Sequence, residues 1–123
     1  MKPISTLQLV SFCVAWLLAF TASAQILISD GNVEACSGVL YDTSGQGGAG
    51  YGPAEDFTLV LCSDDGSSVF LEWFNFDLDP ASFMTIYDGQ NIFAPVLAYS
   101  GVGSFEGQTI IASADNPSGC LTI

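Results

Sequence analysis

Three carboxylates crowd the stretch FDLDPASFMTIYDG, residues 76–89. Asp77 and Asp79 precede Pro80, and Asp88 stands on Gly89 after a short apolar alternation. Acidic side chains grouped this closely are what a hard divalent cation uses, since calcium takes six to eight oxygen ligands, carboxylates among them. They are equally the residues that open and close turns at strand ends, because a short acidic side chain accepts a hydrogen bond from backbone two residues on. Which of these chemistries applies depends on the elements that hold the three residues.

Other chemistries are poorly furnished. The 123 residues contain no His, which removes His-based triads and His metal ligands. Asp42-Thr43-Ser44-Gly45 looks like the D-[ST]-G of aspartic proteases with one residue inserted, and no second carboxylate loop accompanies it. Gly45, Gly47 and Gly50 satisfy G-x-G-x-x-G by count, but Tyr51-Gly52-Pro53 follows where a helix would have to open, so the segment reads as a tightly turning loop. Nothing singles out a glycosidase pair among 13 carboxylates. Asn116-Pro117-Ser118 fails as a glycosylation sequon because its middle residue is Pro. Cys120 has no base to activate it and reads as half of a structural disulfide. No catalytic residue is assigned, and the chain is expected not to be an enzyme.

The N-terminus carries Lys2, an apolar run from Phe12 to Phe20 and the small-x-small tripeptide Ala22-Ser23-Ala24. These are the parts of a secretory signal peptide, residues 1–24, cut before Gln25. The run is shorter than the about 20 residues that cross a bilayer, so no membrane insertion of the mature chain is expected. Removing the signal removes Lys2, the only basic residue, and leaves 13 Asp and Glu. A surface of one negative sign repels phosphate backbones, which excludes nucleic acid as a partner, and no side-chain salt bridge can form within it. Cys36, Cys62 and Cys120 remain. In a small secreted domain one disulfide is expected, and the odd thiol points to a partner outside the chain.

No stretch has helical apolar spacing over three turns, while β-rich runs recur between Gly, Pro, Asn, Asp and Ser clusters. Strands are expected at 57–62, 68–76, 83–87, 95–100 and 109–113, with weaker ones at 26–29 and 38–42. Their spacing fits an antiparallel two-sheet β-sandwich. Phe57, Leu59 and Leu61 share the core face of one strand. The run 68–76 is apolar on both faces apart from Glu72, which places it centrally and covered on both sides. The alternating run CLTI has barely begun when it reaches Ile123, so a last strand is expected beyond it.

Together these residues resemble a CUB domain, an extracellular β-sandwich of jelly-roll type. The resemblance rests on Cys36-Ser37-Gly38 with Tyr41-Asp42, Tyr51 and Pro53 ahead of the strand ending at Cys62, the Phe74, Phe76, Asp77, Leu78, Asp79 cluster, Ile86-Tyr87-Asp88-Gly89, Ser100-Gly101 and Ser118-Gly119-Cys120-Leu121. Ala24 followed by Gln, and the Ser-Gly-Cys-Leu form, are similar to CUB domains of secreted proteins from the Bacteroidetes. The division implied is a signal at 1–24, a lead-in strand at 25–35 and a CUB-like domain at 36–123 that is C-terminally incomplete.

The resemblance further implies a disulfide between Cys36 and Cys62, which closes a loop worth about 3 to 4 kcal/mol. It leaves Cys120 to pair with a Cys outside this chain. Many CUB domains bind calcium; Asp79 matches one of their ligands and Tyr51 the Tyr that supports it, while Ser82 stands where a second Asp belongs, so weak calcium binding is the most this pattern implies. The function implied is a secreted or cell-surface recognition and adhesion module for protein or glycan partners, reached through a basic group of the partner. The alternative is an accessory domain of a secreted enzyme, such as a peptidase, whose catalytic part follows residue 123.

Overall fold

Runs of β-branched and aromatic residues, cut short by Gly, Pro and Asp, make strands of two to four residues here. The computed structural model describes residues 23–123; the expected signal peptide therefore lies, up to Ala22, outside the described residues. Nine strands follow in order: β1 Ala24–Leu27, β2 Gly31–Glu34, β3 Gly38–Tyr41, β4 Leu59–Cys62, β5 Phe70–Glu72, β6 Thr85–Tyr87, β7 Val96–Tyr99, β8 Thr109–Ile111 and β9 Leu121–Thr122. One 3₁₀ turn, Ser100–Val102, follows β7, and no α-helix occurs among the described residues. The fold is all-β, as the spacing of turn residues predicts.

The strands form a five-stranded sheet in the order β2-β4-β9-β6-β7 and two ribbons, β1-β3 and β5-β8. Leu59, Leu61, Ile86, Leu121 and Ile123 from the five-stranded sheet are buried together with Phe105, Ile110 and Ala112. Ile26, Leu40, Leu71 and Trp73 from the two ribbons pack against the same cluster. One core is thus shared by several sheets, an arrangement consistent with a β-sandwich.

The pairing departs from an all-antiparallel sandwich. β1 runs parallel to β3, and β2 parallel to β4. The cause is the path of the chain, which crosses from the ribbon into the large sheet at β2 and returns at β3. Two strands joined by such a crossover point the same way, whereas a hairpin reverses direction. The lead-in at 25–35 accordingly holds most of β1 and all of β2, and the cleavage point expected before Gln25 falls within β1.

The run at 68–76 is not central. Among the described residues β5 pairs only with β8, and the inward residues Leu71 and Ile110 face each other across that ribbon. Phe70 and Phe74 are exposed, so the second apolar face of this run is uncovered. Phe76 escapes exposure because the chain bends after Glu72, and its ring meets that of Trp73 edge-on at 5.4 Å. Phe57, expected on the core face of β4, precedes the strand and is exposed, while Leu59 and Leu61 are buried as expected.

The disulfide joins Cys62 to Cys120, not Cys36 to Cys62, and Cys36 is an exposed free thiol. The register explains the difference. β4 and β9 run antiparallel with Leu61 opposite Leu121, which brings Cys62 opposite Cys120 at a Cα separation of 4.4 Å. That is the narrow, non-hydrogen-bonded spacing, and it lies inside the range that a disulfide spans. The parallel register of β2 sets Glu34 beside Cys62, leaving Cys36 past the end of the ladder. Cys120 therefore has its partner within the chain.

A crosslink over 58 residues restricts the unfolded chain by about 4 kcal/mol on the loop-entropy model. Cys62→Ala and Cys120→Ala are each expected to cost about 2 to 5 kcal/mol in denaturant unfolding, with Cys36→Ser close to wild type. Equal losses for Cys36→Ser and Cys120→Ala would contradict the pairing.

Candidate functional site

The three carboxylates of residues 76–89 part company in the fold. Asp77 is exposed and makes no side-chain hydrogen bond among the described residues. Asp79 opens a tight turn in which the Ser82 N–H donates to its carbonyl at 3.0 Å. Pro80 suits the second position of such a turn because its ring fixes φ. The side chain closes the same turn from the other side: Oδ1 accepts from the Ala81 N–H at 2.8 Å, and Oδ2 accepts from the Ser82 hydroxyl at 2.8 Å.

Tyr51 reaches this turn from the loop before β4. Its hydroxyl donates to Asp79 Oδ2 at 3.0 Å and accepts from the Asp79 N–H at 2.6 Å. The resemblance pairs Tyr51 with Asp79, and the fold brings the two together. The Ser82 hydroxyl, then the Ala81 N–H and the Tyr51 hydroxyl, hold the Asp79 carboxyl below its ordinary value.

This donor set does not fit calcium. Asp79 is the single carboxylate of the cluster, both its oxygens already accept from protein donors, and Ser82 donates to it where a second acid would be a ligand. Among the described residues, no group of three or more His, Cys, Asp or Glu is placed to hold a metal ion. The arrangement ties the loop of Tyr51 to the turn before β6.

Asp88 does more than turn the chain after β6. Its Oδ1 accepts from the Ser113 N–H at 3.0 Å and from Asn116 Nδ2 at 2.9 Å. Asn116 Nδ2 also donates to the Cys120 carbonyl at 2.7 Å, and its Oδ1 accepts from the N–H and hydroxyl of Ser118. Partial burial acts to raise the Asp88 carboxyl, but the donors of Ser113 and Asn116 outweigh it, and the group lies below its ordinary value. Asp88 and Asp115 border an open groove of about 470 Å³ together with Phe93 and Pro95.

The Gly-rich loop is organised by its own side chains. Asp42 Oδ1 accepts from the N–H and hydroxyl of Ser44, whose oxygen in turn accepts from the Gly50 N–H at 3.0 Å. Glu55 accepts from the Thr43 hydroxyl and from the Gly52 N–H. No helix opens there, so no dipole or row of free N–H groups is offered to a phosphate.

A scan against protein-family models and searches of curated proteins and of solved structures find nothing that matches the chain. Among the described residues, no helix is long and apolar enough to cross a membrane.

Two features escape the sequence. Asn116 looks like loop filling in ADNPSG, although an Asn three residues before a Gly that turns into a strand is placed to bond the backbone on both sides. The second is the outer face of β5. Glu72 shares its parity with Phe70 and Phe74, and one carboxylate amid an apolar row is the sign of a face left open to water.

Two results are expected. Folded carboxyls of Asp79 and Asp88 titrate below their unfolded values, so their stabilisation is present above the ordinary carboxylate range and is lost as pH falls through the folded values. Protonating the other acids relieves repulsion in the same window, so the test is the difference between proteins: Tyr51→Phe, which removes a donor to Asp79, should lose less stability than wild type on acidification below about pH 4. Identical acid limbs in thermal melts would show that the Tyr51 bond contributes nothing. Asn116→Ala leaves the Cys120 carbonyl without its side-chain donor and should cost about 1 to 3 kcal/mol by chemical denaturation; a neutral result would mean that water replaces the amide.

Proposed function

We propose that the chain is a non-catalytic extracellular recognition or adhesion module, a CUB-like β-sandwich that binds protein or glycan partners within a larger secreted or cell-surface protein. The observation that carries this reading is the charge balance. Thirteen Asp and Glu face one Lys and no Arg or His, so the acidic groups have no cationic side chain of the folded part to pair with.

Several of these carboxylates accept hydrogen bonds from nearby N–H and O–H groups, which leaves their charge in place while fixing their position. A surface of fixed negative charges attracts a partner that presents Lys, Arg or an amino group, and sets the rate and selectivity of the encounter more than its strength. The all-β architecture and the Cys62–Cys120 bridge support the assignment to an oxidising, extracellular setting. Recognition on this view rests on the carboxylates themselves and needs no calcium.

Arrays of extracellular proteins and of glycans probed with the full chain are expected to return binders that carry exposed basic groups, with retention falling as sodium chloride is raised. A chain that retains nothing on either array, or whose binding ignores ionic strength, counts against the proposal.

A further inference from the structure

The ribbon β5-β8 presents a surface that the rest of the described residues do not use. Ala112 donates its N–H to the Val69 carbonyl and Trp73 its N–H to the Gln108 carbonyl, so the odd-numbered residues of this strand turn their backbone groups toward β8. Phe70 and Glu72 then turn theirs to the opposite edge, where no strand lies among the described residues. Of the devices that protect an unpaired strand, this edge has its shortness, three residues, and the charge of Glu72, but neither a Pro nor a bulge.

The outward side chains along the same edge are Phe70, Glu72 and Phe74, with Ile111 and Thr109 beside the first two on β8. Phe70 is 62% exposed, Phe74 77% and Ile111 56%. Their inward neighbours Leu71 and Trp73 are packed on the core, which fixes the outward row in place. One carboxylate thus follows an exposed aromatic ring on the open strand, and a second exposed ring, Phe74, lies just past the strand's end.

The geometry points to an occupant of one kind: an extended segment of another protein that adds as a strand to the free edge of β5, with a Lys or Arg opposite Glu72 and apolar residues two positions to either side. This rests on the reading of the chain as a recognition module, and it names the surface and the partner's chemistry. Main-chain bonding supplies the docking, and side chains directly opposite across strands supply the selection. A cation opposite Glu72 meets the carboxylate while its stem lies against the Phe70 and Phe74 rings, an arrangement in which charge and ring faces act together. A second copy of this chain is a poor occupant, because its one cationic side chain is Lys2.

The probe is the blocked heptapeptide Thr-Val-Thr-Arg-Thr-Val-Thr, compared with the same peptide bearing Glu in place of Arg, titrated into the full chain by calorimetry. The Arg peptide is expected to bind about tenfold or more tightly than the Glu peptide, and Glu72→Gln to abolish that preference. Phe70→Ser and Phe74→Ser should each weaken the Arg peptide, whereas Asp115→Asn leaves it unchanged. Hydrogen exchange should show new protection at the amides of Phe70 and Glu72 when the Arg peptide is bound. Equal affinity for the two peptides, protection that appears elsewhere, or self-association of the chain that Glu72→Gln abolishes would each overturn the assignment. If partners retained on the arrays are indifferent to Glu72→Gln, this surface is wrong while the module reading stands.

Discussion

The pairing of β9 with β4 is the contact on which the large sheet depends. Leu59 and Ile123 exchange both backbone hydrogen bonds, at 2.9 and 2.8 Å, and the strand between β4 and β6 is in place only when they do. On one face of this pair, Leu59, Leu61, Leu121 and Ile123 make the centre of the core. On the other, Val60 and Thr122 are buried beside the disulfide, and the Thr122 hydroxyl donates to the Gly89 carbonyl at 2.8 Å. The turn that feeds β9 is equally constrained. Gly119 has φ of +63°, and a Cβ there would lie 2.7 Å from the Ser67 carbonyl oxygen, so only glycine fits a left-handed turn pressed against the loop that leads into β5.

A chain almost without cations has to settle its acids by other means. Asp42, Asp65 and Asp79 each accept the N–H of the residue two positions on, and Asn91 and Asn116 do the same. Dipoles of backbone and hydroxyl thus do locally what Lys and Arg do in most proteins. For Asp65 the hydroxyls of Ser63 and Ser67 lead, and the carboxyl is lowered to about 2. The acids that fall outside this scheme, Glu72 among them, are the ones whose charge faces solvent without a partner among the described residues.

Fold class, the positions of most strands and the core role of Leu59 and Leu61 are legible in the sequence because period-two alternation and turn residues are local signals. β2 is not, since Gly-Asn-Val-Glu has one apolar residue and owes its strand state to a place beside β4. The Cys36–Cys62 pairing that the resemblance implies fails for a related reason: the order of cysteines along the chain carries no information on register, and the register sets Cys120 across from Cys62. Tyr51 and Asp79 are brought together as the resemblance implies, but the same fold fills both carboxylate oxygens of Asp79 with donors, which the order of residues does not reveal. For the run 68–76, apolar residues on both faces predict a buried strand, and the single Glu72 is the better guide.

The place of β9 also bears on how the chain reaches this state. β9, the last of the described strands, occupies the middle of the sheet, and its neighbour β4 lies about sixty residues earlier, a separation reflected in the 58 residues between the bridged cysteines. While the chain is being made, β2, β4, β6 and β7 must wait as two separate pairs with a gap between them. Closure is therefore a late, long-range event that costs loop entropy before it yields any contact. Until then, the apolar flank of β4 stands open, which makes the interval before β9 arrives the time at which this chain is most exposed to aggregation.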